Sequence, residues 1–273
     1  MKMKRSEKLG MFTGLVVGVL LLLISVFMIF QTTCKVWGAE KPANATQQGI
    51  DVSSHQGKID WEQVKNSALA DYAIIRCGYG VNQTDKDDKY WDYNSSECER
   101  LGIPYGTYLY SGADTTAKAK SEAEHVVRLL QGKNLTYPIY YDMEADMLNQ
   151  LSSTQIGNIA KTFLNTMESY GYKNVAVYSN KYLFETKLTA SVFSDYPKWI
   201  AQHSNKCTYQ GSYHMWQYST QGVIPGISEK VDLNYKIGNW TYAGYSSAKK
   251  TVVVKPKATT IKSLRKLSLI HIS

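Results

Sequence analysis

The chain has 273 residues, of which 44% are apolar and 20% charged, with 19 glycines and 6 prolines; this composition excludes collagen-like, low-complexity and wholly disordered proteins. The net charge of +8 is concentrated at the two ends, because residues 1–10 carry +3 and residues 249–266 carry +7. The remaining residues are near neutral, at −2, which argues against a nucleic-acid-binding face on the body of the protein.

The N-terminal segment predicts export. Its first nine residues are rich in lysine and arginine, and residues 11–30 contain no charged residue. About 20 apolar residues suffice to cross a bilayer as a helix, and the flanking positive charge places the N-terminus in the cytoplasm. An uncleaved membrane anchor and a signal peptide cleaved near Gly38 both agree with this pattern. In either case we expect residues 1–38 to target an extracytoplasmic domain, with residues 39–48 as a linker.

Short apolar runs and amphipathic stretches alternate through the body of the chain. The runs predict eight strands, over residues 49–52, 72–77, 104–110, 137–142, 174–178, 198–201, 213–218 and 230–233. Helices are predicted over residues 60–69, 90–101, 115–131 and 152–170, the first and last of them with an N-cap residue followed three positions later by glutamine. The order predicts an α/β fold, a closed barrel of parallel type, with a doubly wound open sheet as the alternative.

Polar residues stand at the predicted carboxyl ends of the strands, where the chemistry of such barrels is found. They are Asp51, Arg76, Tyr108, Asp142 with Glu144, Tyr178, Gln202, Gln217 and Asp232. Asp142 and Glu144 are the most informative, because alternate strand residues point to one side, about 6–7 Å apart. Two carboxylates this close raise one another's pKa, so that one can donate a proton while the other stabilises positive charge, as glycosidic cleavage requires. A solvated acidic loop would have the same pattern.

Seven segments resemble, in order, glycoside hydrolase family 25, the Chalaropsis-type lysozymes. They are residues 49–61, 73–80, 102–108, 142–144, 199–202, 215–219 and 231–234. The resemblance implies an N-acetylmuramidase that cleaves the β-1,4 bond between N-acetylmuramic acid and N-acetylglucosamine in peptidoglycan. It also implies an irregular, TIM-like β/α barrel over residues 49–240, with helices reduced after the fifth strand, and no metal or organic cofactor.

The same resemblance assigns roles to individual residues. Glu144 is expected to be the general acid, Asp142 to support the oxocarbenium-like state or orient the N-acetyl group, and Asp51 and Asp232 to complete an acidic floor. The residues expected to bind substrate are Arg76, Tyr79, Tyr108, Tyr178, Trp199, Gln217 and Asn234, although core packing explains the aromatic ones equally well. We expect a monomer that binds peptidoglycan strands, and the membrane through residues 11–30, but no nucleic acid. A non-catalytic glycan-binding barrel and a hydrolase of a chitin-like polymer are the alternatives.

The remaining motifs predict no further chemistry. The four cysteines, at positions 34, 77, 98 and 207, have no paired spacing and are expected to be buried or idle thiols. The run Asp85–Asp88 lacks the glycine and glutamate that a calcium loop requires. Residues 241–273 are rich in Ser, Ala, Lys and Thr and predict a basic linker or truncated tail.

Overall fold

A computed structural model describes residues 39–240 of the chain, together with Gly18. Eight strands form a closed barrel in chain order, so that the last strand pairs with the first. They are β1 (Ala45–Val52), β2 (Tyr72–Tyr79), β3 (Tyr105–Tyr110), β4 (Ile139–Asp142), β5 (Val175–Asn180), β6 (Lys198–Ala201), β7 (Met215–Gly222) and β8 (Val231–Ile237). All eight predicted strands are confirmed, and the open-sheet alternative is excluded.

Six helices lie between the strands of the described part. They are α1 (Trp61–Ser67), α2 (Trp91–Leu101), α3 (Thr116–Leu129), α4 (Ser153–Ser169), α5 (Lys181–Thr186) and α6 (Val192–Asp195). The predicted N-caps are confirmed: the Asp60 side chain accepts from the N–H of Gln63, and Ser152 and Gln155 form a capping box. The last two helices are short and no helix is described after β6, as the family resemblance implied.

The last strand differs from the prediction. From β1 to β7, each strand runs parallel to the next one in the chain. β8 runs antiparallel to both β7 and β1, so the prediction of a parallel barrel is wrong for this last strand. Only residues 223–230 connect β7 to β8. A parallel crossover needs a dozen or more residues, whereas an antiparallel pair can be joined by a short loop. The start of β8 therefore lies at the end of the barrel where the other strands terminate.

The predicted linker, residues 39–48, is partly wrong. β1 begins at Ala45, four residues before the predicted start, so that half of this strand falls in the segment assigned to the linker. The N–H of Gly238 donates to the carbonyl of Asn44 (2.8 Å), and the N–H of Glu40 donates to the carbonyl of Asn205 (3.0 Å). This segment is therefore hydrogen-bonded to the barrel.

The barrel interior is filled mainly by aromatic side chains. Tyr140 meets Trp199 edge to face, with ring centroids 4.9 Å apart, and stacks on His214 at 5.6 Å. Trp199 also contacts Tyr178, at 4.4 Å. Aromatic rings bury 150–250 Å² each and have few rotatable bonds, so this packing supplies a rigid floor beneath the end of the barrel.

Two predictions concern residues that the structure does not describe. The apolar segment 11–30, except for Gly18, and the basic tail 241–273 lie outside the described residues. No helix within the described part has the length and apolar character needed to span a membrane. Of the described cysteines, Cys77 and Cys98 are buried free thiols, as predicted, and Cys207 is a half-buried free thiol.

Candidate active site

A cavity of about 70 Å³ lies at the end of the barrel where β1 to β7 terminate. It is lined by Asp51, Tyr108, Asp142, Glu144, Tyr178, Trp199, Gln217 and Asp232. All eight are residues that the sequence singled out, and four of them carry carboxyl groups. The structure thus gathers acids from three strands and one loop around a single space.

The strand ends explain how these acids meet. Asp142 is the last residue of β4 and pairs in register with Tyr178 of β5, while Glu144 follows two residues later in the loop. Asp51, near the end of β1, is directly opposite Asp232 in the pairing with β8. Asp232 reaches this site from the start of its strand, not from its end, because β8 is antiparallel.

Gln217 and Asn234 fix the orientation of Asp51. The Gln217 Nε2 donates to both carboxylate oxygens of Asp51, at 3.2 and 3.0 Å, and the Asn234 Nδ2 donates to Oδ2 at 2.7 Å. The Asn234 Oδ1 in turn accepts from the Trp199 Nε1 at 2.8 Å. Asn234 is fully buried and does not line the cavity, so its observed contacts are with Asp51 and Trp199.

Sequence reasoning missed His203, which joins the same network. The Gln217 Oε1 accepts hydrogen bonds from the Tyr178 hydroxyl (3.0 Å) and from the His203 Nε2 (2.9 Å). His203 lies in the loop after β6 and is exposed. Its neighbour Gln202, which the sequence placed at the rim, instead bonds Thr208 within the same loop. Proximity to the matched segment 199–202 was the available signal for His203.

Burial raises the pKa of every carboxyl group on the cavity. The pKa values of Asp51 and Asp142 lie well above their usual range, that of Glu144 is raised, and that of Asp232 is raised to about 6. Repulsion adds to burial, because Asp232 raises the pKa of Asp51, and both Glu144 and Asp51 raise that of Asp142. The cavity therefore retains protons at a pH where isolated carboxyl groups are ionised.

Four neighbouring side chains lower the pKa values of these acids. The amides of Asn234 and Gln217 lower the pKa of Asp51, and the charge of His203 lowers that of Glu144. The Arg76 guanidinium lowers the pKa of Asp142. Asp142 Oδ1 is buried and has no hydrogen-bond partner among residues 39–240. This oxygen therefore keeps an unused hydrogen-bond acceptor at the site.

Besides Asn234, two predicted substrate-binding residues do not line the cavity. Arg76 forms an ion pair with Asp88, with Nε and Oδ2 2.8 Å apart. Tyr79 is 41% exposed; its hydroxyl contacts the carbonyl of Asp85 at 3.4 Å, and the Lys86 Nζ lies 4.8 Å from its ring centroid. Within the described residues, no three His, Cys, Asp or Glu side chains are grouped so as to hold a metal ion.

The arrangement can donate a proton and stabilise a positive charge within one space. Acids with raised pKa values supply the proton, and a neighbouring carboxylate stabilises the charge. Tyr108, Tyr178 and Trp199 contribute aromatic side chains to the lining of the cavity.

Comparison with known proteins gives consistent matches. A family model, "Glycosyl hydrolases family 25", matches residues 50–227. The autolytic lysozyme of Clostridium acetobutylicum is 30% identical over 188 residues, which cover 68% of this chain and 55% of that protein. The modular autolysin LytC from Streptococcus pneumoniae is 33% identical, with a TM-score of 0.64, over 69% of this chain and 46% of that one. The chain thus spans about half the length of these two relatives.

Two further structures extend the comparison. A family 25 glycosyl hydrolase from Bacillus anthracis, 20% identical with a TM-score of 0.64, covers 75% of this chain and 95% of that chain and has the same fold. The pneumococcal autolysin has also been solved in complex with a synthetic peptidoglycan ligand.

Proposed function

The chain belongs to glycosyl hydrolases family 25 and is a glycoside hydrolase; we propose that it is a lysozyme that cleaves the β-1,4 bond between N-acetylmuramic acid and N-acetylglucosamine of peptidoglycan. The observation that carries this proposal is the cavity in which four carboxyl groups meet. Two proteins that are similar to this chain are a lysozyme and an autolysin. A non-catalytic glycan-binding barrel would have no need of four acids that are costly to bury together.

Glu144 is the general acid in this proposal. Burial and the negative charge of Asp51 raise its pKa, so it keeps a proton at a pH where a free glutamate has lost it. Glu144 is only half-buried, which leaves it accessible to the glycosidic oxygen of a bound chain. Transfer of this proton to the leaving oxygen allows the bond to the anomeric carbon to break.

Asp142 stabilises the positive charge that develops at the anomeric carbon, or orients the neighbouring N-acetyl group. Its position at the end of β4 directs it to the same cavity as Glu144. The charge of Arg76 favours the ionised form of Asp142, in opposition to burial and to the other acids. Asp51 and Asp232 form the acidic floor; the negative charge of Asp51 helps Glu144 to retain its proton, and Glu144 in turn raises the pKa of Asp232.

Digestion of purified peptidoglycan tests the proposal. We expect new reducing ends that are N-acetylmuramic acid, identified by borohydride reduction and mass spectrometry of the products. New reducing ends of N-acetylglucosamine, or faster cleavage of chitin oligomers than of peptidoglycan, would contradict it. The Glu144→Gln variant controls for contaminating hydrolases, because it preserves the shape of the side chain and removes the transferable proton.

We further propose that the barrel acts outside the cytoplasmic membrane. The basic N-terminus and the uncharged segment 11–30 support export, and peptidoglycan lies on that side. Fractionation of cells that express the full chain tests this. Protein in the membrane fraction that resists extraction by carbonate indicates an anchor, and a shortened protein in the medium indicates cleavage near Gly38. Full-length protein confined to the cytosol would contradict export.

A further inference from the structure

Asp88 is a buried acid outside the cavity that joins three elements. Its side chain is 0% exposed. Oδ2 accepts hydrogen bonds from the Arg76 Nε (2.8 Å) and from the N–H of Ser54 (2.9 Å), and Oδ1 accepts from the N–H of Tyr90 (2.9 Å). These partners belong to β2, to the turn that follows β1 and to the residue that precedes α2. Asp88 therefore connects the backbone around the site to one guanidinium group.

Arg76 links this acid to the cavity. In the register of β2 and β3 it is paired with Tyr108, whose side chain lines the cavity. Its Nη2 donates to the Ser54 Oγ at 2.8 Å, so that Asp88 and Ser54 together hold the planar guanidinium group. The positive charge of Arg76 lowers the pKa of both Tyr108 and Asp142. Displacing or neutralising the Arg76 side chain therefore changes the pKa of Asp142, an acid of the active site.

We propose that Asp88 is a positioning residue of the hydrolase, which holds the Arg76 guanidinium in place and sets how much of its positive charge reaches Asp142. This inference rests on the proposed function. An uncompensated cation would favour the ionised form of Asp142 strongly, and the paired carboxylate offsets part of that field. Asp88 is buried and the Arg76 side chain is only 15% exposed, so salt screens this pair weakly and the offset persists at physiological ionic strength.

The other charged groups around Asp142 are acids. Glu144 and Asp51 both act on it, and Asp51 in turn faces Asp232. The charge of His203 acts on Glu144. Among the described residues, Arg76 is the cation whose charge acts on Asp142. The balance between Arg76 and Asp88 therefore adjusts Asp142 against two negative neighbours.

Asp87, the preceding residue, provides a matched control. Its Oδ1 lies 2.7 Å from the His125 Nε2, and its Oδ2 accepts from the Arg128 Nη1 at 3.0 Å. Both partners belong to α3. Two consecutive aspartates thus form ion pairs of similar geometry, and only Asp88 is paired with the arginine that acts on the cavity.

The test is the pH profile of kcat/KM on soluble peptidoglycan fragments, measured on the full chain. Asp88→Asn keeps an oxygen acceptor and removes the charge, so we expect the acid limb, where Asp142 must be ionised, to move to lower pH. Arg76→Gln moves this limb to higher pH, and Asp87→Asn leaves it unchanged. In the double variant Asp88→Asn/Arg76→Gln the limb lies between those of the two single variants, because the two opposite charges are removed together.

The role of Asp88 in holding the Arg76 guanidinium is tested by kcat/KM at the pH optimum. Asp88→Ala removes the acceptor and lowers kcat/KM by about tenfold, the usual effect of losing a hydrogen bond to a charged group, and Asp88→Asn recovers most of this loss. A folded Asp88→Asn protein with the acid limb of the wild type, or an equal shift in Asp87→Asn, overturns the inference. If the Asp88→Asn protein does not fold, the Arg76→Gln variant is the test. An acid limb that does not move to higher pH in Arg76→Gln then overturns the inference. A wild-type chain without activity at any pH overturns the proposed function itself.

Discussion

At the residue scale, Gln217 shows how one neutral side chain organises several ionisable ones. Its amide nitrogen donates to both oxygens of Asp51, while its carbonyl oxygen accepts from Tyr178 and His203. An amide is suited to this position because it carries both donors and an acceptor. The orientation of Asp51, and therefore the field that acts on Glu144, depends on this side chain together with Asn234.

The first prediction concerns the proton donor. Glu144→Gln retains the size and polarity of the side chain but cannot deliver a proton, so we expect peptidoglycan cleavage to fall by about 10²–10⁴-fold. Binding of glycan fragments should persist, because Tyr178 and Trp199 are untouched. Turbidity clearing of wall suspensions measures the rate, and calorimetry with soluble fragments measures binding. A variant that clears walls at nearly the wild-type rate would leave Glu144 without its assigned role.

The second prediction concerns His203 and the alkaline limb of the pH profile. The positive charge of His203 lowers the pKa of Glu144, so the acid gives up its proton at lower pH than it otherwise would. His203→Gln keeps a donor for Gln217 and removes the charge. We therefore expect Glu144 to stay protonated to higher pH and the alkaline limb of kcat/KM to move upward.

His55→Gln is the control for this prediction. His55 is also exposed, but it is not among the groups that act on Glu144. Its substitution should leave both limbs where they are. A shift to lower pH in His203→Gln, or an equal shift in His55→Gln, would contradict the electrostatic role of His203.

At the scale of elements, the connection between β7 and β8 determines where Asp232 lies. Gly226 in this connection has φ of +93°, in the region that favours glycine, and its carbonyl accepts from the N–H of Asp60 at 2.9 Å. The loop is thereby attached to the N-terminus of α1, which begins at Trp61. The contact fixes the start of β8, and so the approach of Asp232 to Asp51.

The third prediction tests this attachment. A Cβ atom at Gly226 would lie 2.3 Å from the Asp60 carbonyl oxygen, so Gly226→Ala must displace backbone. Gly132→Ala is the control, because Gly132 has φ of +78° but nothing within 4 Å of the added atom. We expect Gly226→Ala to lower the free energy of unfolding by about 1–3 kcal/mol more than the control does. Equal losses of unfolding free energy in the two variants, measured by urea unfolding, would show that the close approach of Gly226 to Asp60 does not affect stability.

The same elements show which features could be predicted from sequence. Apolar runs and N-caps are local signals, so the strands and the four longer helices were found, with Ser152 and Gln155 as the clearest case. The direction of β8 depends on the length of one loop, which the strand pattern does not encode. The acids of the cavity could be predicted because the carboxyl ends of parallel strands meet at one end of a barrel. The roles of His203 and Asp88 could not be predicted, because they depend on hydrogen-bond partners on other elements.

At the scale of the whole molecule, the closure of the barrel decides which segment folds as a unit. β1 pairs with both β2 and β8, so the first strand joins the two ends of the sheet. Its first half, residues 45–48, pairs with the last residues of β8. The Gln47 Oε1 also accepts from the Tyr137 hydroxyl at 2.6 Å and from the Lys236 Nζ at 3.2 Å. A boundary at residue 49 would cut through these contacts.

The fourth prediction follows from this closure. A chain of residues 39–240 contains the eight strands of the barrel and all of the cavity, so we expect it to unfold cooperatively and to cleave soluble peptidoglycan fragments at the rate of the full chain. A chain of residues 49–240 loses half of β1 and its hydrogen bonds to β8. At about 1 kcal/mol for each lost bond, its unfolding free energy should be lower by about 2–4 kcal/mol. Urea unfolding and fragment assays on both proteins measure this difference. Equal stability of the two chains would contradict the structural role of residues 45–48, and an insoluble 39–240 chain would show that the folded unit extends further.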